Sequence, residues 1–491
     1  MELNLKSATK EILKPLCYIY RESMRTGEVP RDWRHARVTP IYKKGTKGEA
    51  GNYRPVSITS IPCRMLESII KDAVMEHLLE NKLIKDSQHG FLKGRSCTTN
   101  LTAFMDRLTN IIDKGSPADV FYLDFAKAFD KVPHQRLLMK MESKGIGGEV
   151  LNWVRSWLAD RTQTVRVGAS ESTASQVKSG VPQGSVLGPP LFDVFIDDLD
   201  YCAILIDMLI KFADDTKGLQ EIASEADRDK LQHTLDRLVE WAKAWGMEFN
   251  VQKCKIMHVG NNNPGYEYKM AGTTLSVVEE EKDIGITVCR NLKPSKHCKK
   301  AAGTAGAVLR QLARNFHYRD KNIFKKLYVQ YVRPHLEFAS PAWSPWLETD
   351  KNVIENIQKK AIGMISGLNN GSYKEKCTVL GLETLEARRI KQDLLEMYKI
   401  MHGQGQQEQG KMFTLAKCRD GAVTRNTADP LTIKVPRSRL DIRKNSFSVR
   451  GAELWNKLPF EIRSIETLPR FKNAIKTLTQ DRTVADRMLT D

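Results

Sequence analysis

Apolar residues recur every three or four positions along much of the chain, the spacing that places them on one face of a helix. Stretch 224–245 shows it most clearly, with Ser224 and Asp227 as a capping box and Gly246 as a terminator. Its apolar face would consist of Leu231, Leu235, Leu238, Ala242 and Trp245. The same spacing predicts helices in three further stretches, 1–29, 60–84 and 101–111. The second of these would pack through Met65, Leu66, Ile69, Ile70, Val74 and Leu78.

Shorter apolar runs rich in β-branched and aromatic residues predict strands. These runs are VTPIY at 38–42, VFYL at 120–123 and ILIDMLIKF at 204–212. The second run ends at Asp124, and the third reaches the adjacent acids Asp214 and Asp215. Because a buried strand leaves the core where it ends, we expect all three acids at turns beside the core.

Two adjacent carboxylates repel each other, and burying them costs several kcal/mol unless something pairs them. A divalent cation such as Mg²⁺ does so, since it prefers hard oxygen ligands. Taken alone, an Asp-Asp pair is more often a solvated acidic turn. Here a second acidic strand end lies 90 residues earlier (214 − 124). Such equipment suits nucleotidyl transfer, in which two metal ions roughly 4 Å apart hold the attacking hydroxyl and the leaving group.

Two loops could complete such a site. The segment KKGTKG at 43–48 combines cations with glycine, which suits a phosphate grip, although an ordinary charged hairpin has the same composition. The segment GVPQGSVLGP at 180–189 holds three glycines and two prolines, so it requires a loop with special backbone angles. This loop permits close approach of a ligand or base pair, or is a structural turn, and it leads into a predicted helix at 190–199.

Composition narrows the classes of partner and compartment. The formal charge of +18 over 491 residues favours a polyanionic partner, most simply nucleic acid. The nine cysteines include no Cys-x-x-Cys pair, which disfavours a disulfide framework and a zinc site. We therefore expect a reducing compartment, nucleus and cytoplasm. No apolar run reaches the ~20 residues that a membrane span needs, and the N-terminus lacks a secretory signal.

Taken in order, the motifs resemble the reverse transcriptases of non-LTR retrotransposons, and the jockey-like LINE group in particular. The resembling segments are VTPIYKKG, NYRPVS, QHGFLKGRS, LDFAKAFDKVPH, GVPQGSVLGPPLF, FADDT, GMEFNVQKCK, KDIGITV, RPHLEFASPAW and ELWNKLP. They run through nearly the whole chain. No single motif is specific, but the ordered set is.

The resemblance implies roles for individual residues. Asp124, Asp214 and Asp215 would hold two Mg²⁺ ions, with Mn²⁺ as a substitute, and Lys253 would protonate the leaving pyrophosphate, with Lys255 as its rival. The residues that would contact the incoming nucleotide are Arg54, Lys43 (or Lys44), Phe129, Gln183 and Gly184. Phe129 would act as a steric gate against the 2′-hydroxyl. Asp130 is expected to be structural.

The resemblance also implies an α+β right-hand polymerase with an antiparallel palm sheet and a mostly helical, basic C-terminal extension. The expected units are an N-terminal helical segment, fingers, palm, thumb and extension, at 1–29, 30–115, 116–288, 289–365 and 366–491. The stretch GQGQQEQG at 403–410 would be a linker. The expected partners are an RNA template, a DNA primer and dNTPs, with no membrane.

Some features depart from the family pattern. Pro190 replaces the usual apolar residue, the segment 200–207 is altered, and neither an N-terminal endonuclease nor a zinc knuckle is present. We therefore expect a truncated copy or fragmentary gene model that polymerises without nicking DNA. Two alternatives stay open: a catalytically inactive transposon remnant that only binds nucleic acid, and another palm polymerase such as a group II intron maturase or an RNA-dependent RNA polymerase.

Overall fold

The computed structural model describes residues 9–368, 370–403, 412–416 and 430–480. Of the expected linker only Gly403 falls within these ranges, and 404–410 lie outside them. The strands are β1 His35–Tyr42, β2 Tyr53–Ile58, β3 Ala118–Leu123, β4 Thr162–Val167, β5 Ser170–Glu171, β6 Ser175–Gln176, β7 Met208–Phe212, β8 Asp215–Glu221, β9 Lys255–Val259, β10 Lys269–Met270, β11 Thr273–Thr274, β12 Ser276–Val277, β13 Glu280–Asp283 and β14 Ile286–Cys289.

Helices carry most of the remaining described chain. They are α1 Thr9–Thr26, α2 Ile61–Glu80, α3 Cys97–Asp113, α4 Ala128–Lys131, α5 His134–Ser143, α6 Gly148–Leu158, α7 Gly188–Ile196, α8 Glu225–Trp245, α9 Ser295–Asn315, α10 Lys321–Leu327, α11 Arg333–Glu337, α12 Glu348–Gly363, α13 Tyr373–Leu380, α14 Leu385–Met401, α15 Asp441–Lys444, α16 Phe447–Lys457, α17 Phe460–Arg463 and α18 Leu468–Gln480. The expected helix α8 begins at the capping box of Ser224 and Asp227 and ends at Gly246, whose φ of +72° is left-handed.

The central sheet has the strand order β12-β9-β3-β8-β7. Its long strands are antiparallel, and only the short β12 runs parallel to β9. Strand β3 lies in the middle with all six residues buried. Alternate β3 side chains therefore enter two different cores. Phe121 and Leu123 lie in the first core, and Val120 and Tyr122 lie in the second.

A second sheet joins distant parts of the chain. Strand β1 pairs antiparallel with β2 and parallel with β4, and the short β5 and β6 each pair with β4. The first core lies against one face of the central sheet and includes the buried, stacked indoles of Trp153 and Trp157 on α6. Both tryptophans are fully buried core residues.

The second core packs the other face of the central sheet against α3 and α9–α12. The third joins α14, α16 and α18 with Phe413 and Ile433, so the C-terminal residues form a folded, mostly helical unit as expected. This C-terminal unit (residues 430–480) docks on α3: Asp113 Oδ1 accepts the backbone N–H groups of Arg439 and Leu440 at 2.8 and 2.7 Å. Arg443 Nη1 donates to the Asp106 carbonyl at 2.9 Å and to its carboxylate.

Two details of the predicted pattern are wrong. Strand β7 begins at Met208, and Ile204 and Leu205 remain 67% and 48% exposed because a 3₁₀ turn, Asp197–Ala203, occupies the preceding residues. On α2, Met65 and Ile69 are exposed as well. Apolar identity alone did not decide burial at these positions. No helix in the described ranges is both long and apolar enough to cross a membrane.

Candidate active site

The three acids meet at one end of the central sheet. Strand β3 pairs antiparallel with β8 so that Leu123 lies opposite Thr216, and this register places the next residue, Asp124, beside Asp215. Asp214 lies in the tight β7–β8 turn, where Phe212 pairs with Asp215. The expected convergence of the two strand ends follows from antiparallel pairing, which brings the end of one strand to the start of its neighbour.

Burial and mutual repulsion dominate the electrostatics of the turn. The surrounding protein desolvates Asp214 and raises its pKa, with repulsion from Asp124 adding to the effect. For Asp215, desolvation followed by repulsion from Asp214 raises the pKa to about 6, although its side chain still reaches solvent. The turn therefore concentrates negative charge that the protein only partly compensates.

Two basic side chains of the first hairpin face this charge. The positive charges of Arg54 and Lys43 partly offset the rise in the pKa of Asp214. Both residues lie at the loop end of the β1–β2 hairpin, where Ile41 pairs with Arg54 and Lys43 N–H donates to the Asn52 carbonyl at 2.9 Å. Within the exposed loop 43–48, Lys43 is thus the cation whose charge acts on Asp214.

Lys253 reaches the third acid directly. Its Nζ lies 2.9 Å from Asp124 Oδ2, with the lysine side chain 64% exposed. Lys255 Nζ instead donates to the Gln252 carbonyl at 2.9 Å. Of the two candidate lysines, Lys253 is the one in contact with a strand-end carboxylate.

The glycine loop lies against both the first hairpin and α4. Ser57 N–H donates to the Gln183 carbonyl at 2.7 Å, and Gln183 Nε2 donates to Asp130 Oδ1 at 3.0 Å. A Cβ on Gly184, whose φ is +121°, would lie 2.4 Å from the Ser57 carbonyl oxygen. Only glycine permits this close approach. Asp130 thus makes a structural contact here.

Phe129 lies on α4, immediately after the Asp124 turn. Its ring stacks on Phe192 of α7 with centroids 4.4 Å apart, and Phe91 contacts it edge-on at 6.3 Å. Stacking on a buried ring fixes the orientation of Phe129, which itself is only half-buried. The side chain can therefore present a fixed apolar surface to a ligand.

Whether the acids fit a divalent cation depends on their chemistry and their arrangement. Among the residues that the structure describes, no group of three or more His, Cys, Asp or Glu side chains converges closely enough to hold a metal ion. The donor set itself fits, because hard carboxylate oxygens suit Mg²⁺, and a bound cation would stabilise the ionised forms of Asp214 and Asp215, whose pKa values are raised. Asp124 is turned towards Lys253 and would have to leave that ion pair to join such a group.

The structure also reveals supporting residues that the sequence did not single out. Glu67 of α2 is fully buried and accepts the backbone N–H groups of Val186 and Leu187 at 2.7 and 3.2 Å, which fixes the glycine loop. Lys217 of β8 forms a buried ion pair with Asp283 of β13. Neither pair could be found from the sequence, because the partners lie 119 and 66 positions apart along the chain.

Comparison with known proteins gives relatives for most of the chain. It is 27% identical over 385 residues to the "Probable RNA-directed DNA polymerase from transposon BS" of Drosophila melanogaster, and the match covers 74% of this chain and 41% of that protein. It is also 27% identical over 375 residues to the "RNA-directed DNA polymerase from mobile element jockey" of the same organism, covering 73% of this chain and 40% of the relative. The chain thus spans about two fifths of the length of these curated relatives.

Among solved structures, apo telomerase from Candida tropicalis resembles the chain with a TM-score of 0.44 and 11% identity, covering 78% of this chain and 66% of that one. Telomerase from Candida albicans, solved with a fragment of telomeric RNA, gives a TM-score of 0.41 and 11% identity, covering 75% and 68%. Likeness at this level carries no conclusion of its own.

Residues 41–300, just over half of the chain, match the family described as "Reverse transcriptase (RNA-dependent DNA polymerase)". The matched range contains the whole central sheet, the three acids and the glycine loop. With the relatives above it confirms the expected resemblance to non-LTR retrotransposon polymerases, and with the central antiparallel sheet it confirms the expected α+β right-hand class. The chain belongs to the reverse transcriptase family.

Proposed function

We propose that this chain is an RNA-directed DNA polymerase of a non-LTR retrotransposon, extending a DNA 3′-hydroxyl with dNTPs on an RNA template. The observation that carries the proposal is the meeting of Asp124, Asp214 and Asp215 at one end of an antiparallel sheet, facing the cations of the first hairpin. That arrangement answers the main requirement of nucleotidyl transfer, which is to position phosphates and stabilise their charge.

Reverse transcriptases generally use divalent metal ions. We propose that Asp124, Asp214 and Asp215 would hold two Mg²⁺ ions, or Mn²⁺ in their place. Bound there, the ions would supply charge stabilisation to the attacking hydroxyl and the leaving pyrophosphate. The raised pKa of both turn acids supports this assignment, since their negative charges lack full compensation within the protein.

The chain's own residues would do the remaining work. Arg54 and Lys43, which face Asp214, would bind the triphosphate through charge-assisted hydrogen bonds. Lys253 would be released from Asp124 on nucleotide binding and donate a proton to the leaving pyrophosphate. Its reach to the strand-end carboxylate supports Lys253 over Lys255 for this role.

The nucleotide pocket would be completed by the glycine loop and α4. Phe129 would lie under the sugar and exclude a 2′-hydroxyl, a role that its stacking on Phe192 supports. Gln183 and Gly184 would contact the new base pair, because the loop is held close to β2 at Ser57. We propose an RNA template, a DNA primer and dNTPs as partners, and nucleus and cytoplasm as the location.

The test is primer extension by the purified chain on a poly(rA) template with an oligo(dT) primer, dTTP and Mg²⁺. We expect Asp214→Asn to lower extension by at least 1,000-fold, because charge stabilisation by bound ions accounts for several kcal/mol of the barrier. Asp229→Asn makes the same chemical change at an exposed residue whose ion pair in the described part of the chain is with its neighbour Arg228. It should keep full activity.

Each outcome decides between the proposal and its alternatives. Extension by wild type and Asp229→Asn alone supports the polymerase. Extension retained by Asp214→Asn contradicts the metal assignment. A folded wild type that binds the hybrid without extending it favours the inactive remnant, and a preference for rNTPs over dNTPs favours a different palm polymerase.

A further inference from the structure

The segment immediately before Phe91 runs along the edge of the central sheet. Residue 88 pairs in parallel with residue 211 of β7, where Lys211 N–H donates to the Ser87 carbonyl at 2.7 Å and His89 N–H donates to the Lys211 carbonyl at 2.9 Å. Asn100 Nδ2 donates to the same Lys211 carbonyl at 3.0 Å. The segment therefore extends the sheet at the strand that carries the acidic turn.

One side chain of this segment contacts the turn itself. Gln88 is 1% exposed, and its Oε1 accepts two backbone N–H groups, from Ala213 at 3.0 Å and from Gly90 at 2.8 Å. Because both donors are N–H groups, the oxygen must be the atom that faces them. One acceptor thus ties the first residue of the Ala213-Asp214-Asp215 turn to the neighbouring segment.

The turn needs this support because its backbone is strained. Ala213 has a φ of 55°, in the left-handed region that an L-residue with a Cβ rarely adopts. Strained conformations persist only where the surroundings over-determine them. Gly90 packs so closely beneath the turn that a Cβ there would lie 2.4 Å from Ala213 N. Gln88 and Gly90 therefore both lie against the backbone nitrogen of Ala213.

We propose that Gln88 is a positioning residue for the reaction: its side-chain oxygen holds the Ala213 peptide in the left-handed conformation that aims Asp214 and Asp215 at the end of the sheet. This inference rests on the proposed function for its catalytic consequence, but not for its structural part. The residue contacts no reacting atom and acts only through the turn.

The amide nitrogen of Gln88 suggests a pair of substitutions that separates loss of the acceptor oxygen from loss of packing. Gln88 Nε2 is buried without a hydrogen-bond partner among the described residues. Gln88→Glu keeps the length and an acceptor oxygen, and burial beside the acidic turn favours its protonated form, which adds no buried charge. Gln88→Met keeps the length and the packing but removes the acceptor, leaving two buried N–H groups unsatisfied.

A matched control is available in the helical region after 289. Gln358 is also fully buried, and it accepts from Tyr328 Oη at 2.7 Å and donates to the Glu383 carbonyl at 2.9 Å. Gln358→Met makes the same substitution at similar burial, away from the turn. It should lower the melting temperature without altering the turn.

The structural part is tested by hydrogen exchange on the full chain, following peptides that cover 208–216. We expect Gln88→Met to speed exchange of the turn at least tenfold, Gln88→Glu to stay near wild type, and Gln358→Met to leave these peptides unchanged. If Gln88→Met does not fold, Gly90→Ala displaces the same contact and should speed the same peptides.

The catalytic part is tested by steady-state primer extension. A misplacement of about 1 Å can cost roughly 100-fold in rate, so we expect kcat of Gln88→Met to fall by 10- to 100-fold. KM for dTTP and Kd for the hybrid should change less than threefold, and Gln88→Glu should recover most of kcat.

Unchanged exchange at 208–216 in Gln88→Met overturns the proposal, as does equal damage by the Met and Glu substitutions, which would indicate packing alone. A kcat within twofold of wild type overturns the catalytic part. If wild type does not polymerise, the proposed function fails, while hydrogen exchange still decides whether Gln88 holds the turn.

Discussion

At the scale of single residues, the stacked pair of Phe129 and Phe192 offers a direct test of sugar discrimination. Removing the Phe129 ring leaves Phe192 buried behind an open space, so a 2′-hydroxyl would no longer meet a fixed surface. We expect Phe129→Ala to raise kcat/KM for rUTP relative to dTTP by at least tenfold, measured by primer extension on poly(rA). Unchanged selectivity would show that another group excludes ribonucleotides.

How far single residues were predictable depends on what fixes them. Asp124, Asp214 and Asp215 could be placed from the sequence because each follows an apolar run, and the structure brings them together. Gln88 could not be assigned a contact, because its partner Ala213 lies 125 positions further along the chain. The metal-binding role of the three acids stays a prediction, as do the roles of Arg54, Lys43, Lys253, Phe129, Gln183 and Gly184.

At the scale of elements, the ion pair of Lys217 and Asp283 joins the β13–β14 hairpin to the strand that begins at Asp215. Both side chains are buried, and Lys217 Nζ also lies 4.5 Å from the Phe104 ring centroid. We expect Asp283→Ala to lower the free energy of unfolding by about 3–5 kcal/mol, because it leaves the buried Lys217 ammonium without its counter-charge. Chemical denaturation measures this loss.

The double variant Lys217→Met with Asp283→Leu is the informative control. Replacing both charges by apolar groups of similar size is often neutral. We therefore expect the double variant to regain most of the lost stability. A double variant as unstable as Asp283→Ala would mean that the hairpin needs the charges themselves.

The junction between β14 and α9 predicts a dependence of stability on pH. His297 Nδ1 accepts the Thr287 N–H at 3.2 Å, the ring contacts Trp343, and burial lowers the pKa of His297 to about 4. Because burial keeps His297 neutral in the folded state, the neutral ring contributes to the free energy of unfolding. This contribution is complete above pH ~6.5 and is lost as the pH falls towards 4. At pH 5 the loss should be about 2 kcal/mol.

Unfolding by urea at pH 7.5 and pH 5 checks this value. Between the two pH values, the free energy of unfolding of His297→Gln should fall by about 2 kcal/mol less than that of wild type. Glutamine can accept the same N–H without titrating. His317 is exposed, and His317→Gln should follow wild type. An equal pH dependence in all three proteins would contradict the assignment.

Helices were the more predictable elements, because a capping box and a terminal glycine mark both ends of α8 within the sequence itself. Strand β7 shows why some strand boundaries could not be predicted. The apolar run continues back to Ile204, yet pairing starts only at Met208, just after Asp207 accepts the Glu221 N–H at 2.6 Å. The 3₁₀ turn Asp197–Ala203 and this polar contact both precede the boundary, and hydrophobicity could indicate neither.

At the scale of the whole molecule, the net charge of +18 predicts how nucleic acid binding responds to salt. A protein that neutralises several phosphates releases the counterions around them, so its affinity falls steeply as salt rises. We expect Kd for an RNA–DNA hybrid to increase at least 100-fold between 50 and 200 mM KCl, measured by fluorescence anisotropy. A Kd that is insensitive to salt would contradict a backbone-tracking surface.

The five-part division of the chain stays a prediction at this scale. The second core runs from α3 through the central sheet to Leu385, across four of the five expected units. Sequence patterning indicates which residues are buried but not which buried faces meet, because that depends on contacts between distant segments.

The docking of the C-terminal unit on α3 has a consequence for biosynthesis. Asp113 receives its partner Arg439 only 326 residues later in the chain. At synthesis rates of about 5–20 residues per second, those residues take roughly 16–65 s to emerge. Throughout that interval the carboxylates of Asp106 and Asp113 lack the hydrogen-bond donors that the C-terminal unit later supplies. The strands of the central sheet are therefore all synthesised before residue 439, whereas the polar cover of α3 is completed only after it.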